Sequence, residues 1–424
     1  MTATPQPPYL IALNLTARCN LGCAHCYLDA KVMKQGAVDE LDTGEVKQVL
    51  DSIAQVGPEA MVVLTGGEPL LRPDIEDLAE HATGLGLMVV VGSNGILLTP
   101  GRIGRLKAAG VAGIGLSLDS LDPARHDAFR GRKGAWAKTM ASIDACVQGG
   151  LAFQIHFSVT DETADEIDDM VAFARDAGAL VLNVFFMVCT GRGEKYSDIS
   201  PQKYEAVLGR VAQAARDEKR LMVRAKCAPH FKRIATAMDP DWAITSAQGY
   251  DAGGCIAGTR YARITPNGTV TACPFIETPA GSVRQTSFAE IWTNAPQLQA
   301  LRTPRLEGRC GICEFQKLCG GCRARPLARD GNLMGEDFLC SYDPRGGAVI
   351  QPLAPQHGGI EWSEDASAHL ARIPGFVRRM VRLRAEDHVR QNGRSTVTAD
   401  DLAYLKKRRF GDAGPPVFAR RGAP

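Results

Sequence analysis

Cys19-x3-Cys23-x2-Cys26-Tyr27 puts three thiols on one short loop. A second group follows far downstream: Cys255, Cys273, Cys310-x2-Cys313-x5-Cys319-x2-Cys322 and Cys340. Ten of the thirteen cysteines fall in these two groups. Thiolates are the preferred ligands of iron–sulfur clusters, and spacing indicates cluster type. Three thiolates on one loop can hold three irons of a [4Fe–4S] cube and leave the fourth iron open to a substrate or cofactor. A zinc knuckle is the plainer alternative for such a loop, but zinc cannot change redox state.

The elements that must position these cysteines alternate along the first half of the chain. Short apolar runs lie at 9–15, 61–65, 87–93, 113–118, 153–159 and 181–186, with amphipathic helical stretches between them. Six such units predict an α/β fold with a parallel sheet, curled into a partial (β/α)6 barrel of the TIM type. Ligands in these folds sit at the C-terminal strand ends, and the first cysteine loop follows the first strand. Residues 9–220 are therefore expected as the core, and 221–254 as a connector with one short helix. Residues 255–345 are expected as a cysteine-rich domain held by metal more than by an apolar core, and 346–360 as a linker. A small helical domain is expected over 361–412 and a disordered tail over 413–424. Thr398 is the expected N-cap of the last helix, with Asp400 and Asp401 in its first turn.

The chain has 424 residues and a net charge of +2, with 23% charged and 45% hydrophobic residues, so no global bias toward nucleic acid is expected. The N-terminus does not read as a signal peptide, and no apolar run reaches the ~18 residues of a membrane span. With that many cysteines in a large chain, a cytoplasmic protein that uses metal or redox chemistry is expected rather than a disulfide framework.

The first loop resembles that of the radical SAM superfamily, a likeness extending over roughly residues 9–220. It implies S-adenosylmethionine (SAM) chelated to the open iron, cleavage to a 5′-deoxyadenosyl radical, and an electron donor such as flavodoxin or ferredoxin. The cofactors carry the hard chemistry while the protein positions them. The strand-end segments match in turn. Thr65-Gly66-Gly67-Glu68-Pro69 implies Glu68 at the SAM ammonium, with glycines that allow a close backbone approach. Asn94, Ser117 and Asp119 are implied near the ribose and carboxylate, and Tyr27 near the adenine. Taken one at a time, each could equally be a turn residue.

The second cysteine group resembles the SPASM extension of these enzymes, with Cys255 and then Gly268-x4-Cys273 as its opening. By position, Cys310, Cys313, Cys319 and Cys340 would close one auxiliary [4Fe–4S] cluster, and Cys255, Cys273 and Cys322 would hold another. The second lacks an obvious fourth cysteine, and the Cys319–Cys322 gap is one residue shorter than the family pattern. A non-cysteine ligand or the substrate could complete it. Two zinc ribbons are the alternative.

Trp362-Ser363, then Leu370-x-Arg372-Ile373-Pro374-x-Phe376-Val377-Arg378, then Gly393 and Val397-Thr398, are similar to the small domain that ends the light-independent protochlorophyllide reductase B subunit. Core and cluster spacing also resemble the radical SAM enzymes that tailor tetrapyrrole side chains in alternative haem and haem d1 biosynthesis. A carboxylated tetrapyrrole is thus the implied small-molecule substrate. Maturation of a ribosomally made peptide is the alternative, but its enzymes often carry an N-terminal peptide-binding domain. Only eight residues precede the first strand, so none is expected here. Arg224, Lys226, Cys227 and His230, with Lys232, could meet a metal centre or an anionic substrate; a solvated connector is the bland reading. Arg378, Arg379, Arg382 and Arg384 are a second basic set suited to propionates. Cys146 is expected in the core, and Cys189 follows the sixth strand.

Overall fold

The computed structural model describes residues 5–28, 30, 39–188, 190–196, 199–240, 254–351, 359–373 and 375–410. Cys189 and the tail from 411 lie outside this set.

Seven parallel strands follow one another in sequence and in space: β1 (Leu10–Asn14), β2 (Met61–Thr65), β3 (Met88–Ser93), β4 (Gly113–Ser117), β5 (Phe153–Val159), β6 (Val181–Phe186) and β7 (Met222–Lys226). Right-handed crossovers in an order of this kind put every helix on the same side of the sheet, so the other side is the barrel interior. Side chains alternate between the two faces. Ile11, Leu13, Val62, Leu64, Val89, Val91, Ile114, Leu116, Ile155, Phe157, Leu182 and Val184 are fully buried in the core shared with the helices. The opposite parity carries Asn14, Thr65, Gly92, Ser117, His156, Asn183 and Arg224. The connecting helices begin at conventional caps. Asp42 and Glu45 form a capping box before Thr43–Val56, and Thr99, Asp122 and Ser200 each precede a proline at the first helical position.

Two expectations are corrected. The stretch 221–254 is no mere connector: it supplies β7 as well as the helix His230–Met238. Nor is 255–345 short of an apolar core. Strands β8 (Tyr261–Ile264), β9 (Thr269–Cys273) and β10 (Ile276–Ser282) extend the main sheet, with β8 parallel to β1 (Leu10 opposite Tyr261). Phe288, Ile291, Trp292, Leu298 and Leu301 are buried in the same core as the barrel helices. The cysteine-rich segment is built onto the first barrel strand, next to the loop that carries Cys19.

Residues 359–410 form a separate cluster around Ala366, Ala385, Val389, Val397 and Leu402. A short parallel pair, β11 (Glu361–Trp362) and β12 (Thr396–Val397), joins three helices. Asp401 accepts from the Thr398 backbone N–H and hydroxyl, both at 2.9 Å, at the start of the last helix. No helix among the described residues is long and apolar enough to cross a membrane.

Candidate active site and cluster-binding cysteines

The first cysteine loop is held by the backbone after β2. Gly67 N–H donates to the Thr16 carbonyl and Glu68 N–H to the Arg18 carbonyl, both at 2.7 Å. A Cβ on Gly66 (φ 141°) would sit 2.5 Å from Thr16 O, and one on Gly67 would sit 2.0 Å from Arg18 O. The close approach that requires these glycines is thus to the cysteine loop's own chain. Cys19 and Cys23 are buried and Cys26 partly so. Burial pushes the Cys19 thiol up to about 11 and raises Cys23, which the Arg130 guanidinium opposes. Arg130 Nη1 lies 3.7 Å from Cys23 Sγ, and its Nη2 lies 2.5 Å from Asp119 Oδ2. Burial alone would raise the Asp119 carboxyl, but Arg130, with His25 and His126, brings it below its ordinary value.

Glu68 is fully buried. Its oxygens accept from Ser93 Oγ and Asn94 N–H at 2.9 Å and from Leu70 N–H at 3.1 Å. Burial nevertheless pushes its pKa up to about 7. Asn94 Nδ2 donates to Asn20 Oδ1 at 2.7 Å, within the cysteine loop. Tyr27 is packed edge-on to Phe275, with the Arg263 guanidinium over its ring and Asn14 Nδ2 at 3.3 Å from its hydroxyl. Glu68, Asn94, Ser117 and Asp119 end β2, β3 and β4 on the side that carries Cys19, Cys23 and Cys26.

Ser117 stands opposite His156 in register, His156 opposite Asn183, Asn183 opposite Arg224, and Phe185 opposite Lys226. The interior face therefore ends in a row of polar groups. Arg224 Nε and Asn183 Oδ1 are buried without hydrogen-bond partners, a costly state unless a ligand supplies them. His156 is held neutral, its pKa lowered to about 4 by burial first and then by Lys226 and Arg130. Sequence reasoning missed His156, Asn183 and Gln154. Their signal was the polar residue at alternate positions of strands that should be apolar on both faces.

The downstream cysteines separate into two sets. Cys310, Cys313, Cys319 and Cys340 line one recess of about 360 Å3, together with Arg233, Arg309 and Tyr342. Gly320 and Gly321 are both left-handed (φ 66° and 68°), and a Cβ on Gly321 would lie 2.9 Å from Asp337 Cβ. Two such residues turn the chain within the shortened gap, so Cys319 enters the recess while Cys322 joins Cys255 and Cys273. Cys227 stands with that second set and is not part of a solvated connector. Burial first, then the charges of Cys227, Cys255 and Cys322, push the Cys273 thiol well up. His230 is also fixed elsewhere than at the interior face: it is buried, with Nδ1 2.8 Å from Tyr204 Oη and Nε2 3.5 Å from Asp337. Of the four downstream substrate candidates, only Arg224 and Lys226 keep to that face. Among the described residues no His, Cys, Asp or Glu group is drawn tightly enough to hold one metal ion. Sulfur donors in these two sets, and polar strand ends around the first loop, are the donor chemistry that cubes and SAM require.

Two of the tail arginines already have partners. Arg378 Nη2 donates to the Ala371 carbonyl at 2.8 Å, and Arg382 approaches Glu386 and, at 3.7 Å, Glu59. The side chain of Arg379 lies outside the described set.

Residues 13–174 match the radical SAM superfamily, 255–322 an iron–sulfur cluster-binding domain, and 362–406 the proto-chlorophyllide reductase 57 kD subunit. The AdoMet-dependent heme synthase of Methanosarcina barkeri is 38% identical over 350 residues, covering 81% of this chain and 99% of that protein. The pre-heme d1 synthase of Dinoroseobacter shibae is 32% identical, covering 80% and 86%. In fold, the chain is similar to Streptococcus suis SuiB bound to S-adenosylmethionine, with a TM-score of 0.63, 17% identity, and coverage of 80% of this chain and 78% of that one.

Proposed function

The chain belongs to the radical SAM superfamily, in the branch with an iron–sulfur cluster-binding extension, and on that premise we propose that it removes or oxidatively decarboxylates the propionate side chains of a tetrapyrrole. Bound SAM and its cluster supply a carbon-centred radical able to attack an unactivated C–H bond. The chain's own residues bind and orient. Cys19, Cys23 and Cys26 hold three irons. Glu68 receives the SAM ammonium, and Asn94, Ser117, Asp119 and Tyr27 frame the rest of SAM. Arg224 and Lys226 pair with substrate carboxylates, and neutral His156 stands beside them as a hydrogen-bonding or iron-binding imidazole.

The observation that carries the substrate reading is the unpartnered Arg224 Nε in the interior, next to unpartnered Asn183 Oδ1. A buried Nε–H with no acceptor suits an anion, and a propionate is one. Two tetrapyrrole-acting relatives above 30% identity point the same way.

Anaerobically reconstituted protein titrated with iron coproporphyrin should give a Soret shift with micromolar affinity, about −8 kcal/mol. Arg224→Ala with Lys226→Ala should weaken that binding at least about tenfold while SAM affinity stays within about twofold. No Soret shift with any carboxylated tetrapyrrole, together with SAM-dependent modification of a short peptide, would replace this reading by the peptide one.

A further inference from the structure

We infer that Cys227 is the fourth thiolate of the auxiliary cluster whose other ligands are Cys255, Cys273 and Cys322. The inference rests on the reading of two auxiliary clusters and supplies the ligand that the family spacing leaves missing.

Cys227 directly follows β7 and is the one non-glycine among the described residues with a left-handed backbone (φ 56°). L-residues avoid that region, and such exceptions gather where surrounding structure forces a functional geometry. The forcing structure is visible. Arg325 and Asp337 are both fully buried and joined at 3.0 Å. Arg325 Nη2 donates to the Cys227 carbonyl at 2.6 Å, while Asp337 Oδ2 accepts from Cys322 N–H at 2.7 Å. One buried ion pair thus ties the backbones of both cysteines. Gly254 brings in the third segment: a Cβ there would lie 2.5 Å from Pro229 Cβ and 2.0 Å from Cys319 O. Chain segments 227–229, 254–255 and 319–322 are therefore in direct contact.

The thiol environments agree. Cys322 and Cys255 lie close enough to Cys227 for their charges to act on it. Cys146, a free cysteine buried in the barrel core, has no other cysteine acting on it. The non-cysteine candidate beside the set, Asp337, is already committed to Arg325, Cys322 N–H and Leu339 N–H. A cube needs four ligands, three come from the cysteine-rich segment, and the fourth comes from the end of a barrel strand. Family spacing does not reveal it because the contact is tertiary. Since Cys227 follows Lys226, this cluster would be attached to the strand that also carries Arg224 into the interior.

Cys227→Gly tests this directly, because glycine adopts φ 56° freely and the fold should survive loss of the thiol. Wild-type protein reconstituted without oxygen should hold about twelve irons, four per cube. Cys227→Gly should lose about four of them, or convert one auxiliary signal to the [3Fe–4S] type in EPR, with circular dichroism and SAM binding unchanged. Cys227→Ser serves as a second variant with an oxygen donor, and Cys146→Ala should keep the full iron content. A wild type with about twelve irons, and a Cys227→Gly protein with the same iron and the same EPR spectrum, would overturn the inference alone. A wild type with only about eight irons would overturn the second auxiliary cluster itself, and the inference with it.

Discussion

Glu68 is a fully buried carboxylate whose three hydrogen bonds do not offset the loss of water. Its pKa rises from an ordinary 4.5 to about 7, and the nearby Arg102 only tempers the shift. The sign follows from linkage. The raised folded-state value means the associated stability is complete below about pH 4.5 and lost as pH rises through about 7. Across that window the Glu68 contribution in SAM-free protein falls by roughly 3 kcal/mol. His25 and His126, held at about 4 against an ordinary 6.5, work the other way: each adds stability as pH rises from about 4 to about 6.5, so the Glu68 loss stands unopposed by them only above about 6.5. A bound ammonium favours the ionised carboxylate, so SAM should bind more tightly as pH rises to about 7. Calorimetry at about pH 6 and about pH 8 should show that rise in reconstituted wild type. In Glu68→Gln affinity should be at least about tenfold weaker and flat with pH, while iron content is kept. Equal SAM affinity in the variant and wild type would remove Glu68 from the SAM site.

At the scale of elements, the join between the β2 end and residues 16–18 carries the first cluster loop. Gly67→Ala would place a carbon 2.0 Å from a backbone oxygen that has no side-chain freedom to yield. The loop should shift, and the protein should lose about a third of its iron, the SAM-binding cube, and with it SAM cleavage. Gly84→Ala is the matched control: it ends the helix Ile75–Gly84 with open space around its Cα, and should be neutral or stabilising by up to about 1 kcal/mol. Iron retained in Gly67→Ala would show that the loop does not depend on this close approach. What the sequence made legible follows the same division. The first six strands were readable because each is an apolar run between helical periods. β7 was not, because Met222, Arg224 and Lys226 alternate with only Val223 and Ala225 in a five-residue run. The apolar core under 255–345 escaped notice because its helices, Phe288–Asn294 and Pro296–Arg302, are too short for a period to stand out. The two cysteine groups were legible because their residue type and spacing stand out together. Cys227 was legible only as a residue that could meet a metal centre, and His156 not at all, since what each faces depends on which strands become neighbours.

At the scale of the whole molecule, one ten-stranded sheet joins the barrel to the cysteine-rich segment, whereas residues 359–410 have their own core. Arg382 to Glu59, at 3.7 Å with side chains 49% and 69% exposed, links that small domain to the barrel, and an exposed pair of this kind contributes under about 1 kcal/mol. Glu59 lies just before β2 begins, so this contact is at the end of the parallel strands opposite the cysteines. The Methanosarcina barkeri relative is matched over 99% of its length by 81% of this chain, so part of this chain has no counterpart there. Yet residues 361–424, the small domain with the tail that follows it, carry 13 Lys and Arg against 8 Asp and Glu, a net +5 that suits an acidic partner. Position and charge make opposite claims, and the contact at Glu59, just before β2, argues for position: it sets this domain at the strand end away from the cysteine loop. Deleting 361–424 should therefore leave iron content and SAM cleavage intact and change iron-coproporphyrin affinity by no more than about twofold. Loss of that affinity by about tenfold or more, with iron unchanged, would place the tail arginines on the substrate. Unchanged affinity, with binding to an acidic partner protein lost, would make the domain a docking module carried by the enzyme.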